Sequence, residues 1–237
     1  MTGLPPSTVA QDYLKLVWTA REWTDQPVTT TMLASRLGVA ASTASEAVKR
    51  LAGQGLLRHA PYGSIELTER GELTALTMVR RHRLLETFLV TVLGYTWDEA
   101  HDDAEILEHA ASDRFIDRVD ETLGHPVRDP HGDPIPRADG TMVRPPALPL
   151  TMLNVGVNAQ VVRISDADSD ILRYLADVGV RLDAEVTVRE LRRAGGVIVL
   201  DVAGDSLDLG IPAARAVWVA PLDPGRSYPK PGSGLTG

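Results

Sequence analysis

The sequence predicts a mainly α protein with small β parts: an N-terminal winged helix-turn-helix, a helical domain, and a C-terminal small β-barrel. Three observations carry this. Residues 7–67 read in the order helix, helix, glycine turn, helix, hairpin. Between Thr68 and Leu123, apolar residues recur at helical spacing. Beyond a proline-rich stretch, from about Gly156, alternating and β-branched segments take over.

Each element has a local reason. Ser7 is a candidate N-cap, and Val9, Tyr13, Leu14, Leu16, Val17 and Trp18 form a helical stripe reaching about Trp23. A short helix fits Thr30–Leu37, stopped by Gly38 in a left-handed turn. A third fits Ser42–Ala52, ended by Gly53 and Gly55. Leu56–His59 and Ser64–Leu67 read as strands around a Pro61–Tyr62–Gly63 turn. Thr68 then caps a long helix carrying Leu73, Leu76, Val79, Leu84, Leu85, Phe88, Leu89 and Val92 up to Gly94. Two more helices fit Trp97–Ser112 and Asp113–Leu123. His125–Pro149 holds seven prolines, two glycines and few large apolar residues, so it reads as a linker or extended wrap rather than core. Ala159–Ile164, Glu185–Leu191 and Val197–Val202 are strand-like, Ile171–Ala176 is helical, and Trp218–Val219 closes a small barrel. Pro224–Gly237, rich in Gly, Pro and Ser, reads as a disordered tail.

Composition narrows the chemistry. The 237 residues include no cysteine, which excludes disulfides, cysteine-ligated zinc and a cysteine nucleophile. Neither a long apolar run nor a signal-peptide pattern opens the chain, so a cytoplasmic protein without a membrane partner is expected. Net charge is −8, but it is unevenly spread. Met1–Tyr95 carries 10 Lys/Arg against 8 Asp/Glu, Thr96–Asp170 carries 6 against 16, and the remainder balances at 8 each. A phosphate backbone meets a local face, not the global charge. The acidic middle block suits a hard divalent cation.

Two motifs follow. In a helix-turn-helix the second helix of the motif enters the major groove. Here it begins Ala41-Ser42-Thr43-Ala44-Ser45-Glu46. Small residues allow close approach to DNA; the hydroxyls of Ser42, Thr43 and Ser45, with Glu46, are the expected contacts to bases or phosphates, and Lys49, Arg50 and Arg58 are expected to meet phosphates. The blander alternative is a small-residue packing face with Ser42 as N-cap. The second motif is metal-like. His101, Glu105, Glu108 and His109 lie on one helical stripe, His82 and Glu86 share a face of the preceding helix, and Asp12 sits among apolar positions of the first. A His–Glu pair at this spacing is commonly just a solvated face, as Asp102 and Asp103 are read to be. Convergence of four ligand types on one stripe favours a cation, which offsets the cost of buried charge.

The stretches Arg80-Arg81-His82-Arg83-Leu84-Leu85-Glu86 and His101-Asp102-Asp103-Ala104-Glu105-Ile106-Leu107-Glu108-His109-Ala110-Ala111-Ser112-Asp113 closely resemble the metal-binding core of the diphtheria toxin repressor family. Asp129-Pro130-His131-Gly132-Asp133-Pro134-Ile135-Pro136 is similar to the family's stretch after the dimerisation helices. The resemblance implies a 1–75 DNA-binding domain, a 76–145 helical metal-binding and dimerisation domain, a 146–155 linker, an SH3-like domain over 156–222 and a 223–237 tail. It implies a homodimeric, non-enzymatic repressor that binds double-stranded palindromic operator DNA when metal fills its sites, with no small organic substrate. One site would use Asp12, Glu105, Glu108 and His109; a second would use His82, Glu86 and His101, with oxygen ligands from the SH3-like domain, Asp168 before Asp170. Iron-responding relatives present Met and Cys where this chain has Asp12 and Glu105. Two hard carboxylates there favour Mn(II), with Fe(II) and Co(II) as other candidates. Manganese regulators lacking a third domain carry a ligating Glu where this chain has Lys15, so separate sites are implied. An iron-responsive repressor, a winged-helix sensor of an organic ligand and a metal-dependent hydrolase stand as rival readings.

Overall fold

The computed structural model describes residues 6–59 and 63–222, which divide into two compact units. One is the chain up to Asp129 together with Ile135–Val143; the other is Pro130–Pro134 together with the chain from Arg144 onward.

The first unit opens with α1 (Thr8–Glu22), whose Ser7 hydroxyl accepts from the Ala10 N–H as expected of its N-cap. Helix α2 (Thr30–Arg36) is capped by Thr29. Helix α3 (Ala41–Gly53) starts from Ala40, which makes no side-chain cap bond, so Ser42 is an exposed helical residue and not the N-cap. Strands β1 (Leu57–His59) and β2 (Ile65–Leu67) pair antiparallel, with Leu57 opposite Leu67. Of the expected Pro61–Tyr62–Gly63 turn, Pro61 and Tyr62 lie outside the described residues. Thr68 caps α4 (Glu69–Leu93), which ends at Gly94 with φ +74°. A Cβ on Gly71 would stand 2.0 Å from the Leu56 carbonyl oxygen, so glycine is what lets α4 begin this close to the wing. Glu99 accepts from the Thr96 N–H to start α5 (Trp97–Ala110), and Ser112 caps α6 (Asp113–Thr122).

Two apolar clusters hold this unit. The first joins Leu14, Val17, Leu33, Ala44, Val48, Leu51 and Ile65 and takes in Ala75 and Val79 of α4. The second joins Leu84, Leu85 and Leu89, further along α4, with Ala100, Ala104, Ile116, Val119 and Ile135. Helix α4 therefore belongs to both, and residues 75 and 79 straddle the position where the sequence reading divided the chain. Near the junction, Arg83 binds both Glu22 carboxylate oxygens (3.0 and 2.5 Å) and lies 3.6 Å from Asp129, with its guanidinium 5.6 Å from the Trp18 ring centre. This buried fork fastens the C-terminal end of α1 to α4.

The second unit contains one six-stranded antiparallel sheet in the order β3 (Leu148–Pro149), β8 (Val217–Pro221), β4 (Asn158–Ile164), β5 (Glu185–Arg192), β6 (Val197–Val202), β7 (Asp205–Gly210). Register shifts between Val161 and Arg163 and between Val188 and Glu190 bend β4 and β5 in the manner of a small barrel. Helices α7 (Ser169–Asp177) and α8 (Ile211–Ala214) complete it. The sequence reading did not foresee β3, β7 or α8.

The 146–155 linker is a correction: Leu148 pairs with Val219, and Leu150 and Leu153 are buried at 0% and 1% exposure. Their leucines are core residues despite the surrounding prolines. Part of His125–Pro149 is likewise interior, since residues 131–136 are all buried. Gly132 explains how: its φ is +91°, and a Cβ there would meet the Val162 carbonyl oxygen at 2.1 Å. The strap is pinned by the Ile164 N–H donating to the His131 carbonyl (2.9 Å) and by Arg163 Nε donating to Asp133 (2.6 Å), with Arg163 stacked 4.4 Å from the Trp218 ring centre.

Candidate metal centres and nucleic-acid interface

Three helices of the first unit bring the ligand-type residues together. Helix α1 presents Asp12, α4 presents His82 and Glu86, and α5 presents His101, Glu105, Glu108 and His109. The ligand atoms of Asp12, Glu108 and His109 lie within 4.8 Å of one another, as do those of His82, Glu86 and His101. Such spacings approach what one divalent cation spans at ~2.0–2.6 Å from each ligand. A third group, His82, Glu105 and Glu108, links the two. Glu105 joins this linking group, and Glu108 is common to it and to the Asp12 group.

At the first site, His109 Nε2 is 2.8 Å from Asp12 Oδ1, while its Nδ1 faces Gln11 Oε1 at 2.8 Å. In the neutral tautomer whose Nδ1–H donates to the Gln11 amide oxygen, His109 presents its Nε2 lone pair to Asp12. Asp12 Oδ1 is buried and has no hydrogen-bond donor among the described residues. Two lone pairs this close fit a cation between them, and carboxylate plus imidazole is a donor set for a hard or borderline ion. Burial pushes the Asp12 pKa up, against the pull of His109 and Lys15. Glu108 is fully buried at 0% exposure. It accepts from Lys15 Nζ at 2.7 and 2.9 Å and faces His82 Nδ1 at 2.7 Å. Lys15 also donates to Glu105 at 2.8 Å. Burial of Glu105 favours its neutral form, but the Lys15 charge and hydrogen bond outweigh that and hold its pKa below the usual value.

At the second site, Glu86 Oε1 is 3.6 Å from His82 Nε2 and 3.2 Å from His101 Nδ1, and the two imidazoles meet edge-on at 5.1 Å. Burial opposes charge on His82, yet the hydrogen bonds to Glu108 and Glu86 prevail and raise its pKa to about 9. Each ring nitrogen of His82 faces a different carboxylate, so this one side chain connects the two sites, which the implied separation did not anticipate. Asp168 accepts from the backbone N–H of Asp170 and Ile171 as the N-cap of α7, and Asp170 pairs with Arg173 at 2.8 Å. Neither joins any ligand cluster among the described residues. Asp168 thus serves as a helix cap and Asp170 as an exposed ion-pair partner.

Sequence reasoning missed Lys15 as a contact, Gln11 as the residue orienting His109, and the Glu22–Arg83–Asp129 fork. Lys15 carried a legible signal, a cation one turn from Asp12; the fork joins residues too distant in sequence to be paired by eye. On α3, Ser42, Thr43, Glu46, Lys49 and Arg50 are exposed and Ser45 is half-buried, while Ala44, Ala47, Val48 and Leu51 are buried. Arg58 is exposed on β1 of the wing.

A winged helix-turn-helix that shares α1 and α4 with a cluster of carboxylates and imidazoles defines a metal-dependent DNA-binding regulator. Comparison with known proteins agrees segment by segment. Residues 7–65 match the iron dependent repressor N-terminal DNA binding domain, 68–137 match the iron dependent repressor metal binding and dimerisation domain, and 148–221 match the FeoA domain. The iron-dependent repressor IdeR of Mycobacterium tuberculosis (strain ATCC 25618 / H37Rv) is 33% identical over 219 residues, 87% of this chain and 94% of that protein. The diphtheria toxin repressor of Corynebacterium glutamicum is 31% identical over 81% of this chain and 87% of its own. A solved manganese-dependent transcriptional repressor in complex with manganese is 54% identical, with a TM-score of 0.86 over 90% of this chain and 100% of that one. The chain belongs to the iron-dependent repressor family, which includes the diphtheria toxin repressor, and the family consists of transcriptional repressors rather than enzymes.

Proposed function

We propose that this chain is a Mn(II)-dependent repressor that acts in the cytoplasm, binds palindromic operator DNA as a homodimer and controls manganese homeostasis genes. The observation that carries the metal assignment is the 2.8 Å approach of His109 Nε2 to a buried Asp12 oxygen that accepts no hydrogen bond from any other described residue. Asp12, Glu105, Glu108 and His109 would hold one ion, and His82, Glu86 and His101 a second. No sulfur ligand stands among them, and hard oxygen donors with imidazole favour Mn(II) over softer responses. The 54% identical solved relative is itself manganese-dependent, which supports the same reading.

A bound divalent ion supplies the positive charge that lets carboxylates from two helices stay together. The chain's own residues then set the mechanism. Asp12 ties α1 to α5, and α1 packs in the same apolar cluster as α3, so fixing α1 narrows the positions open to the recognition helix. Ser42, Thr43, Ser45 and Glu46 are placed for base edges; Lys49, Arg50 and Arg58 are placed for phosphates. Leu73, Leu93, Ile106, Leu107 and Phe115 are exposed apolar residues of α4, α5 and α6, suited to burial against a second copy.

The test is duplex binding by fluorescence anisotropy, on a fragment selected from random duplexes by the manganese-loaded protein. Binding should require Mn(II), vanish on chelation and return on re-addition, and Asp12→Ala should lose this dependence with its circular dichroism intact. Chelation-insensitive binding would instead favour an organic-ligand sensor. If Asp12→Met with Glu105→Cys leaves the preference for Mn(II) over Fe(II) unchanged, the hardness argument fails.

A further inference from the structure

Lys15 places its ammonium among the carboxylates of the candidate metal sites. Its Nζ sits 2.8 Å from Glu105 Oε1 and 2.7 and 2.9 Å from the two Glu108 oxygens, and its side chain is only 12% exposed. The same Glu108 Oε1 that receives the 2.7 Å bond is 3.5 Å from His109 Nε2. The lysine is thus bonded to Glu108, which faces His109, and to Glu105 beside it. Glu108 is fully buried, and a carboxylate withdrawn from water needs a counter-charge. In this structure Lys15 and His82 provide it.

We propose that Lys15 is a resident internal cation that competes with the metal for Glu105 and Glu108. This rests on the metal-site reading above. An ammonium and a divalent ion on the same carboxylates repel each other, so filling the site weakens or displaces the Lys15 bonds to Glu105 and Glu108. Lys15 lies on α1, three residues from Asp12, and its flexible four-carbon stem gives the ammonium room to leave the carboxylates. Two consequences follow. In the metal-free protein the lysine offsets the charge of Glu105 and Glu108, while the Asp12–His109 pair is left for the ion to bridge. The manganese concentration at which the site fills is set upward by the free energy of displacing it, so Lys15 tunes the threshold without being a ligand.

The experiment measures Mn(II) dissociation constants of the full-length protein by titration calorimetry, beside the thermal midpoint of the chelator-treated protein. Lys15→Met and Lys15→Gln should each bind Mn(II) at least about tenfold more tightly than the wild type, and the metal-free Lys15→Met protein should melt at a lower temperature. Lys15→Arg, which keeps the charge, should bind like the wild type. Glu108→Gln serves as the control for the site itself. If Glu108→Gln loses manganese while the Lys15→Met and Lys15→Gln affinities stay at or below the wild-type value, the competition is refuted and the metal site stands. If Glu108→Gln retains wild-type affinity, the metal-site reading falls and the Lys15 role with it. A raised metal-free melting temperature in Lys15→Met would overturn the counter-charge argument.

Discussion

Replacing Arg83 with methionine should be among the more damaging single changes available to the metal-free protein. The guanidinium answers Glu22 through two bonds of 3.0 and 2.5 Å and approaches Asp129 at 3.6 Å, with all three side chains at or below 7% exposure. Methionine keeps the aliphatic stem but strips two buried carboxylates of a shared counter-charge. Breaking a buried ion pair from one side costs about 3–5 kcal/mol. Glu22→Gln should cost less, about 1–3 kcal/mol, because Arg83 keeps Asp129 and the face of Trp18. The double variant should lose less than the sum of the two, with a coupling of at least about 1 kcal/mol. Urea unfolding in chelator, combined with hydrogen exchange of the α1 amides, measures all four corners of the cycle. A loss below about 1 kcal/mol for Arg83→Met, or equal losses for the two single variants, would show that the fork does not fasten α1.

Two further outcomes can be stated briefly. Lys49→Gln should weaken duplex binding about equally across sequences and reduce the slope of log affinity against log salt by about 1, read from anisotropy over a salt series; an unchanged slope removes Lys49 from the phosphate contacts. Asp120 accepts from His125 (2.9 Å) and Arg80 (3.0 Å), and these bonds outweigh burial to hold its pKa below 3.8. A carboxyl whose folded pKa is depressed adds stability above its unfolded pKa and loses it as pH falls through the folded value. Asp120→Asn should therefore flatten the acid limb of the stability profile below about pH 4, as followed by circular dichroism.

Much of the first unit was legible in sequence because its determinants are local. Ser7, Thr68 and Gly94 end helices by their own hydrogen bonds and backbone angles, and the α5 stripe follows from helical periodicity alone. The second unit was harder. Strand β7, Asp205–Gly210, alternates only Leu207 and Leu209 with polar residues, and its identity comes from pairing with β6, a partner that periodicity does not name. Leu148 and Leu150 looked like linker residues because the flanking prolines dominate the composition, whereas it is tertiary burial that makes them core. At the metal centres, residue types and helical faces gave the ligand candidates. What they could not give was the way His82 and Glu108 join the two groups, since the 2.7 Å contact depends on how α4 and α5 pack. Lys15 stands one turn from Asp12 in sequence, but which carboxylates its Nζ reaches depends on how α1 packs against α5.

The path of the chain through its two units limits how the C-terminal part can be rearranged. After Asp129 the backbone lends five residues, Pro130–Pro134, to the sheet-bearing unit, returns with Ile135–Val143 to the helical one, and crosses again at Arg144. A gene fusion or truncation cut at the start of the FeoA match, residue 148, would discard the very piece that supplies Asp133 to Arg163. The module as delimited by sequence similarity is therefore smaller than the module as delimited by folding. Recombination that shuffles this part among regulators must carry residues 130–134 along, or find another anion for the arginine stacked on Trp218.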